Sequence, residues 1–207
     1  MEGYTSIRSA TLALHDLNVL VGANGAGKSN FIRALGMLGR IVDSDLSLFV
    51  GLADGASALM SVADSVRLRW LQEGSDTVLP ADALSDGTLR FICLAVLLGQ
   101  SELPGLIILD EPELGLHPFA IVQLADMLRT ASRASQVLLA TQSVTLMNQF
   151  ELGDLVVVER QGGSSVFERP DPARLGEWLA EYSLGELWEK NMLGGRPRPE
   201  RGRLCTT

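Results

Sequence analysis

No stretch constrains this chain more than Gly22-Ala-Asn-Gly-Ala-Gly-Lys-Ser29. The pattern G-x-x-x-x-G-K-S is that of a phosphate-cradling loop. Its flanks agree with that reading. Leu17-Asn-Val-Leu-Val21 is a short apolar run that predicts a buried strand. Asn30 to Arg40 carries Phe31, Ala34, Leu35 and Leu38 at helical spacing, with an end expected near Gly39. Gly22, Gly25 and Gly27 let the backbone take positive φ and pass close to an anion. The row of N–H groups and the helix N-terminus then face a phosphate. Lys28 is expected to reach the β- and γ-phosphates, and the Ser29 hydroxyl to hold Mg²⁺.

Short apolar runs alternate with helical patterns along the rest of the chain. Tyr4 to Arg8 and Thr11 to Leu14 predict a hairpin beside the loop strand. Between residues 43 and 80 the signal weakens. Leu46 to Leu52 suggests a short helix, and Val66-Arg-Leu-Arg-Trp70 alternates as a half-buried strand does. Leu84-Ser-Asp-Gly-Thr88 opens an apolar helix to Leu98, with Ser85 as N-cap candidate and Gly99 or the polar pair Gln100-Ser101 as the stop. Leu106-Ile-Ile-Leu109 predicts a buried strand, Pro118 a helix start, and Val137-Leu-Leu-Ala140 another strand. A hairpin is expected around Gly162-Gly163 and one helix from Pro172 to Tyr182. The sum is an α/β chain, a mostly parallel sheet flanked by helices with antiparallel strands at the N-terminus.

Composition limits the alternatives. With 207 residues the chain has room for one domain with a real core. The longest apolar run, Phe91 to Gly99, is too short to span a bilayer, so no membrane role is expected. No secretory leader is visible. Cys93 and Cys205 lie far apart, which argues against a disulfide framework and points to a reducing cytoplasm. A net charge of −8 argues against a broad nucleic-acid-binding face. Residues 196–207 belong to a basic low-complexity tail, expected to be disordered.

Ligands of parallel sheets bind at the carboxyl ends of strands. Three stretches fall there: Gly22 to Ser29, Asp110-Glu111, and Thr141 to Ser143. Asp110 is expected to bind Mg²⁺, directly or through a water. Glu111 is expected to polarise the water that attacks a γ-phosphate. Ser85, Gly87 and Thr88 make a second helix start fit for an anion. One domain needs a single γ-phosphate cradle, so this second start makes sense if it serves another subunit's nucleotide.

These motifs occur in the order of an ABC-type ATPase head. Glu111-Pro-Glu-Leu-Gly-Leu-His-Pro118 and Tyr182-Ser-Leu-Gly-Glu-Leu-Trp-Glu-Lys190, with Asn24 and Asn30 beside the loop, resemble the bacterial AAA-family ATP-binding proteins related to RecF and to structural-maintenance-of-chromosomes (SMC) heads. The resemblance runs over most of residues 4–195. It implies a P-loop NTPase head over residues 1–195 with a reduced lobe at about 43–80. It further implies a homodimer with ATP sandwiched between the two heads. Lys28 and Ser29 of one copy bind ATP and Mg²⁺, and Ser85, Gly87 and Thr88 of the other close on the γ-phosphate. Asn24 lies near that phosphate, Glu113 to His117 form the loop that communicates across the interface, and Arg8 or Tyr4 touches the base. A separate nuclease or effector partner, and DNA, follow by analogy alone.

The chain departs from that family in three places. Gln142 stands where relatives carry a histidine, and glutamine donates a hydrogen bond but takes no proton, so slow hydrolysis is expected. Only 55 residues separate Ser29 from Ser85, far fewer than in relatives. The glutamine that couples metal to lobe has one candidate in that interval, Gln72. The main expectation is an ATPase that dimerises around ATP. A nucleotide-binding regulatory or scaffold module with little turnover is the alternative, and a P-loop kinase is the third reading.

Overall fold

The computed structural model describes residues 2–42, 69–71, 78–80 and 83–194; side chains of residues 2–4 and 37–42 are outside the description. The Leu46–Leu52 helix, the first part of the Val66–Trp70 strand, Gln72 and the basic tail fall outside the described residues.

Five strands form the main sheet: β3 (Leu17–Val21), β6 (Leu106–Asp110), β7 (Gln136–Thr141), β8 (Leu155–Gln161) and β9 (Ser164–Glu168). Their order is β6-β7-β3-β8-β9. All neighbours run parallel except β8 and β9, which form the antiparallel hairpin expected around Gly162-Gly163. Strands β3 and β7 are buried almost throughout because helices cover both faces, which is why both read as continuous apolar runs.

The strand alternation sorts the core into two clusters. Leu17, Val19, Val21, Ile107, Leu109, Val137 and Leu139 face α2 (Asp86–Leu98) and α3 (Pro118–Ala131), packing on Leu94, Leu124 and Leu128. Leu20, Leu138, Ala140, Val156 and Val158 face the other way, onto Phe31 and Ile32 of α1 (Lys28–Val42) and onto Ile7. The result is a helix–sheet–helix layering. Ser85 caps α2 by accepting from the Thr88 N–H, and Gly99 ends it. His117 caps α3 through Nδ1 to the Phe119 N–H, with Pro118 at the first turn.

Three expectations change. The N-terminal hairpin pairs β1 (Glu2–Tyr4) with β2 (Ile7–Ser9), and Thr11–Leu14 forms no strand. There the carbonyl of Ala13 accepts from Arg169, while Leu12 and Leu14 pack as apolar cover on the second cluster. The hairpin also lies against β9 rather than beside the loop strand, tied by the Ser165 N–H to the Ser6 carbonyl at 2.7 Å. Finally, the Pro172–Tyr182 helix is two short pieces, α5 (Pro172–Leu175) and α6 (Trp178–Glu181), with Gly176 between them at φ 48°. That left-handed residue cannot continue a right-handed helix. A separate pair, β4 (Arg69–Leu71) with β5 (Val78–Pro80), completes the strands. Of the last two helices named here, α4 (Val144–Met147) packs on α7 (Leu184–Glu189), where the Gly185 N–H donates to Asn148 Oδ1.

Candidate active site

Register places the functional loops side by side. Val21 pairs with Thr141, and Ala140 with Asp110, so three strands end at one level. The loops that follow them enclose a cleft of about 700 Å³. Asn24, Gly25, Gly27, Lys28, Ser29, Asn30, Asp110, Glu111, Glu113 and Gln142 all line it. Strand β7 lies between β3 and β6, which sets Gln142 between the glycine loop and the acidic pair.

The glycine loop is held in place by backbone geometry and by contacts from β9 and from its own lysine. Gly27 sits at φ 114°, and a Cβ there would lie 2.0 Å from Ser165 Oγ. Backbone geometry and contact therefore both demand glycine at this position. Lys28 is buried and turned onto its own loop, with Nζ donating to the Gly22 carbonyl at 2.7 Å and the Ala23 carbonyl at 3.3 Å. Burial lowers its pKa from the ordinary value, while the charges of Glu111, Asp110 and Glu113 pull the other way. Gly22 contributes that carbonyl and does not itself line the cleft.

The acidic loop is fastened to the end of β7 at two points. Glu111 takes a left-handed φ of 47°, sparsely populated for a residue with a side chain. Its N–H donates to the Ala140 carbonyl at 2.9 Å. Its carboxylate accepts from the Gln142 N–H at 3.2 Å and from Gln142 Nε2 at 2.8 Å. The same Nε2 donates to Asn24 Oδ1 at 2.6 Å. At the second point, the Thr141 hydroxyl donates to Glu113 Oε1, and Ser143 N–H donates to the Thr141 oxygen at 2.9 Å. Glu113 is 7 % exposed, and its Oε2 has no partner among the described residues. Burial, opposed by the Thr141 hydrogen bond, pushes its carboxyl up to about 7.

Ser85, Gly87 and Thr88 do not line this cleft. Ser85 and Thr88 are exposed and joined Oγ to Oγ1 at 2.8 Å. Gly87 presses on the acidic loop, where a Cβ would lie 2.1 Å from the Gly115 carbonyl. Arg8 is exposed and also outside the lining. Two residues that brace the glycine loop, Ser6 and Ser165, carried no signal in the sequence. They are ordinary serines 159 positions apart, joined here at 2.7 Å.

The donor set suits a magnesium nucleotide. Ser29 and Asp110 bring oxygen donors to the cleft that Lys28 also lines. Among the described residues no three His, Cys, Asp or Glu side chains form a metal cage. Mg²⁺ in such sites keeps several waters and takes few protein ligands beside the phosphates, so a sparse oxygen set fits it.

The chain matches the family described as "AAA domain, putative AbiEii toxin, Type IV TA system" over residues 17–59 and 42–148. No curated protein matches it. Among solved structures it is similar to an Smc head bound to the C-terminal winged-helix domain of ScpA, with 18 % identity, 55 % of this chain and 31 % of that one covered, and a TM-score of 0.42. It is likewise similar to a Pyrococcus furiosus Smc head with an extended coiled coil bound to the C-terminal domain of ScpA, with 20 % identity, 56 % and 29 % coverage, and a TM-score of 0.45. A chain from a study of ATP-driven dimerization and DNA-stimulated activation of SMC ATPases gives 16 % identity, 74 % and 96 % coverage, and a TM-score of 0.44. The match spans about a third of the length of each of the two Smc head chains. No helix among the described residues is long and apolar enough to cross a membrane.

Proposed function

For a chain that belongs to this AAA-domain family, with a P-loop NTPase fold, we propose an ATPase head that binds Mg²⁺-ATP in the cleft and dimerises around it. The observation that carries the reading is convergence. Lys28, Ser29, Asp110, Glu111 and Gln142 come from three separate strand ends and line one cleft. The head occupies residues 1–195 in this proposal, with the basic tail beyond it.

Lys28 exchanges the Gly22 and Ala23 carbonyls for phosphate oxygens, a trade of neutral acceptors for charged ones. Ser29 and Asp110 are the residues that would hold Mg²⁺, which supplies charge neutralisation across the phosphates when bound. Glu111 accepts the proton of the attacking water, and Gln142 fixes the direction its carboxylate faces. The products are ADP and phosphate. Ser85 and Thr88, exposed and outside the cleft, remain available to a second copy's nucleotide.

A second reading, a nucleotide-binding module with little turnover, draws on one observation. Both Glu111 oxygens already accept hydrogen bonds from Gln142. Those two donors occupy acceptor positions on the carboxylate that an attacking water would need. Two measurements separate the readings. Phosphate release above that of Lys28→Ala supports the ATPase, and its absence with ATP still bound supports the module. Light scattering of Glu111→Gln with ATP is expected to show dimers; a monomer with ATP bound overturns the sandwich.

A further inference from the structure

Behind the glycine loop runs a chain of side-chain hydrogen bonds that begins in the first turn of α1 and ends on the loop. Asn30 Nδ2 donates to Ser6 Oγ at 3.0 Å. Ser6 and Ser165 are joined Oγ to Oγ at 2.7 Å. Ser165 Oγ donates to the Ala26 carbonyl at 2.6 Å. Each hydroxyl has a single proton. Ser165 gives its proton to Ala26, so Ser6 must give its own to Ser165 and accept from Asn30. The direction of the whole chain is thereby fixed, and each link polarises the next.

We infer that Ser165 and Ser6 are positioning residues for nucleotide: together they hold the Ala26–Gly27 peptide so that the Gly27 N–H faces the phosphate. The inference rests on the nucleotide-binding reading above. The Ala26–Gly27 peptide is trans, as all described peptides are, so its C=O and N–H point in opposite directions. Holding the carbonyl back on Ser165 turns the Gly27 N–H away from that side chain of β9, and Gly27 is one of the residues that line the cleft.

The brace is anchored on both sides. Ser165 is 2 % exposed, and its N–H donates to the Ser6 carbonyl. Two residues on, Phe167 packs on Phe31 of α1 with ring centroids 4.7 Å apart. Arg160, at the other side of the hairpin, donates to the Gly25 carbonyl at 3.4 Å. Strands β8 and β9 thus hold the outer side of the loop, and the N-terminal turn closes the circuit.

The test is ATP binding to the full chain, measured by calorimetry, with the melting temperature of the nucleotide-free protein beside it. Ser165→Ala is expected to raise the ATP Kd about five- to tenfold, the loss of one well-placed hydrogen bond. Ser6→Ala is expected to raise it about threefold, and Ser6→Thr, which keeps the hydroxyl, to restore wild-type binding. Because the two serines act as one unit, adding Ser6→Ala to Ser165→Ala should change Kd by less than about twofold. Unchanged affinity in Ser165→Ala overturns the inference. So does a loss confined to melting temperature, or a Ser6→Thr variant no better than Ser6→Ala. Wild-type protein that binds ATP no better than Lys28→Ala overturns the inference and the ATPase reading together; wild-type binding with an indifferent Ser165→Ala overturns the inference alone.

Discussion

The side-chain amide of Gln142 reaches the glycine loop, with Nε2 donating to Asn24 Oδ1 at 2.6 Å. Its other proton serves Glu111 Oε1 at 2.8 Å. One –NH₂ group can serve two acceptors at once, whereas a neutral imidazole has a single N–H. Gln142→Ala is therefore expected to lower kcat about ten- to a hundredfold, as expected when a charged group loses its orienting hydrogen bond. The ATP Kd should stay within about threefold of wild type. Single-turnover phosphate release and equilibrium binding check the two halves separately.

Glu113 makes stability depend on pH. Its folded pKa of about 7 stands above the ordinary 4.5 because burial disfavours the charged carboxylate. A raised pKa means that the folded state holds the proton more tightly. The stabilisation is full below about 4.5 and is lost as pH rises through about 7. Nucleotide-free protein is expected to melt at a higher temperature at pH 6 than at pH 8 by this group alone. Glu113→Gln, neutral at every pH, should flatten that difference. An identical slope in the variant would assign the effect to another group.

Gly87→Ala tests the contact between α2 and the acidic loop. The added methyl would lie 2.1 Å from a backbone carbonyl, which cannot rotate aside as a flexible side chain would. The loop or the helix must shift, and overpacking of this kind costs about 1–3 kcal/mol. A melting temperature lowered by several degrees is expected. A variant as stable as wild type would show that the contact relaxes freely.

Arg169 ties the end of β9 to the start of the chain. Its guanidinium donates to the carbonyls of Gly153 at 2.7 Å and Ala13 at 3.0 Å and to Asn18 Oδ1 at 2.6 Å. Asn18 is fully buried, and its Nδ2 donates to the His15 carbonyl at 2.7 Å and, more weakly, to Val137 at 3.3 Å. Arg169→Met keeps the stem and removes every donor, so several carbonyls lose a charged partner. A destabilisation of about 2–3 kcal/mol is expected by urea unfolding.

The parts of the fold visible in the sequence were those with a local signature. The apolar runs of β3, β6 and β7 are continuous because helices bury both sheet faces, and Ser85 and Gly99 mark α2 by capping chemistry. The hairpin of residues 2–9 is not legible locally because Leu12 and Leu14 show apolar spacing that serves packing rather than pairing. The helix from Pro172 failed at Gly176, whose φ follows from tertiary position and not from composition. Within the site, the glycine loop and the acidic pair carry a pattern, whereas Ser165 and Thr141 act through neighbours more than twenty residues distant. Such pairings follow from sheet order, which no local window contains.

The closeness of Gly87 to Gly115 has a mechanical consequence. Two glycines meet with no side chain between them, so the junction has no cushion that could absorb a displacement. A first turn of α2 pushed inward would therefore meet backbone at once, on the segment that bears Glu113, which Thr141 ties to the end of β7. Inward play between the surface helix and the cleft-lining segment is limited at that junction to what bare backbone allows.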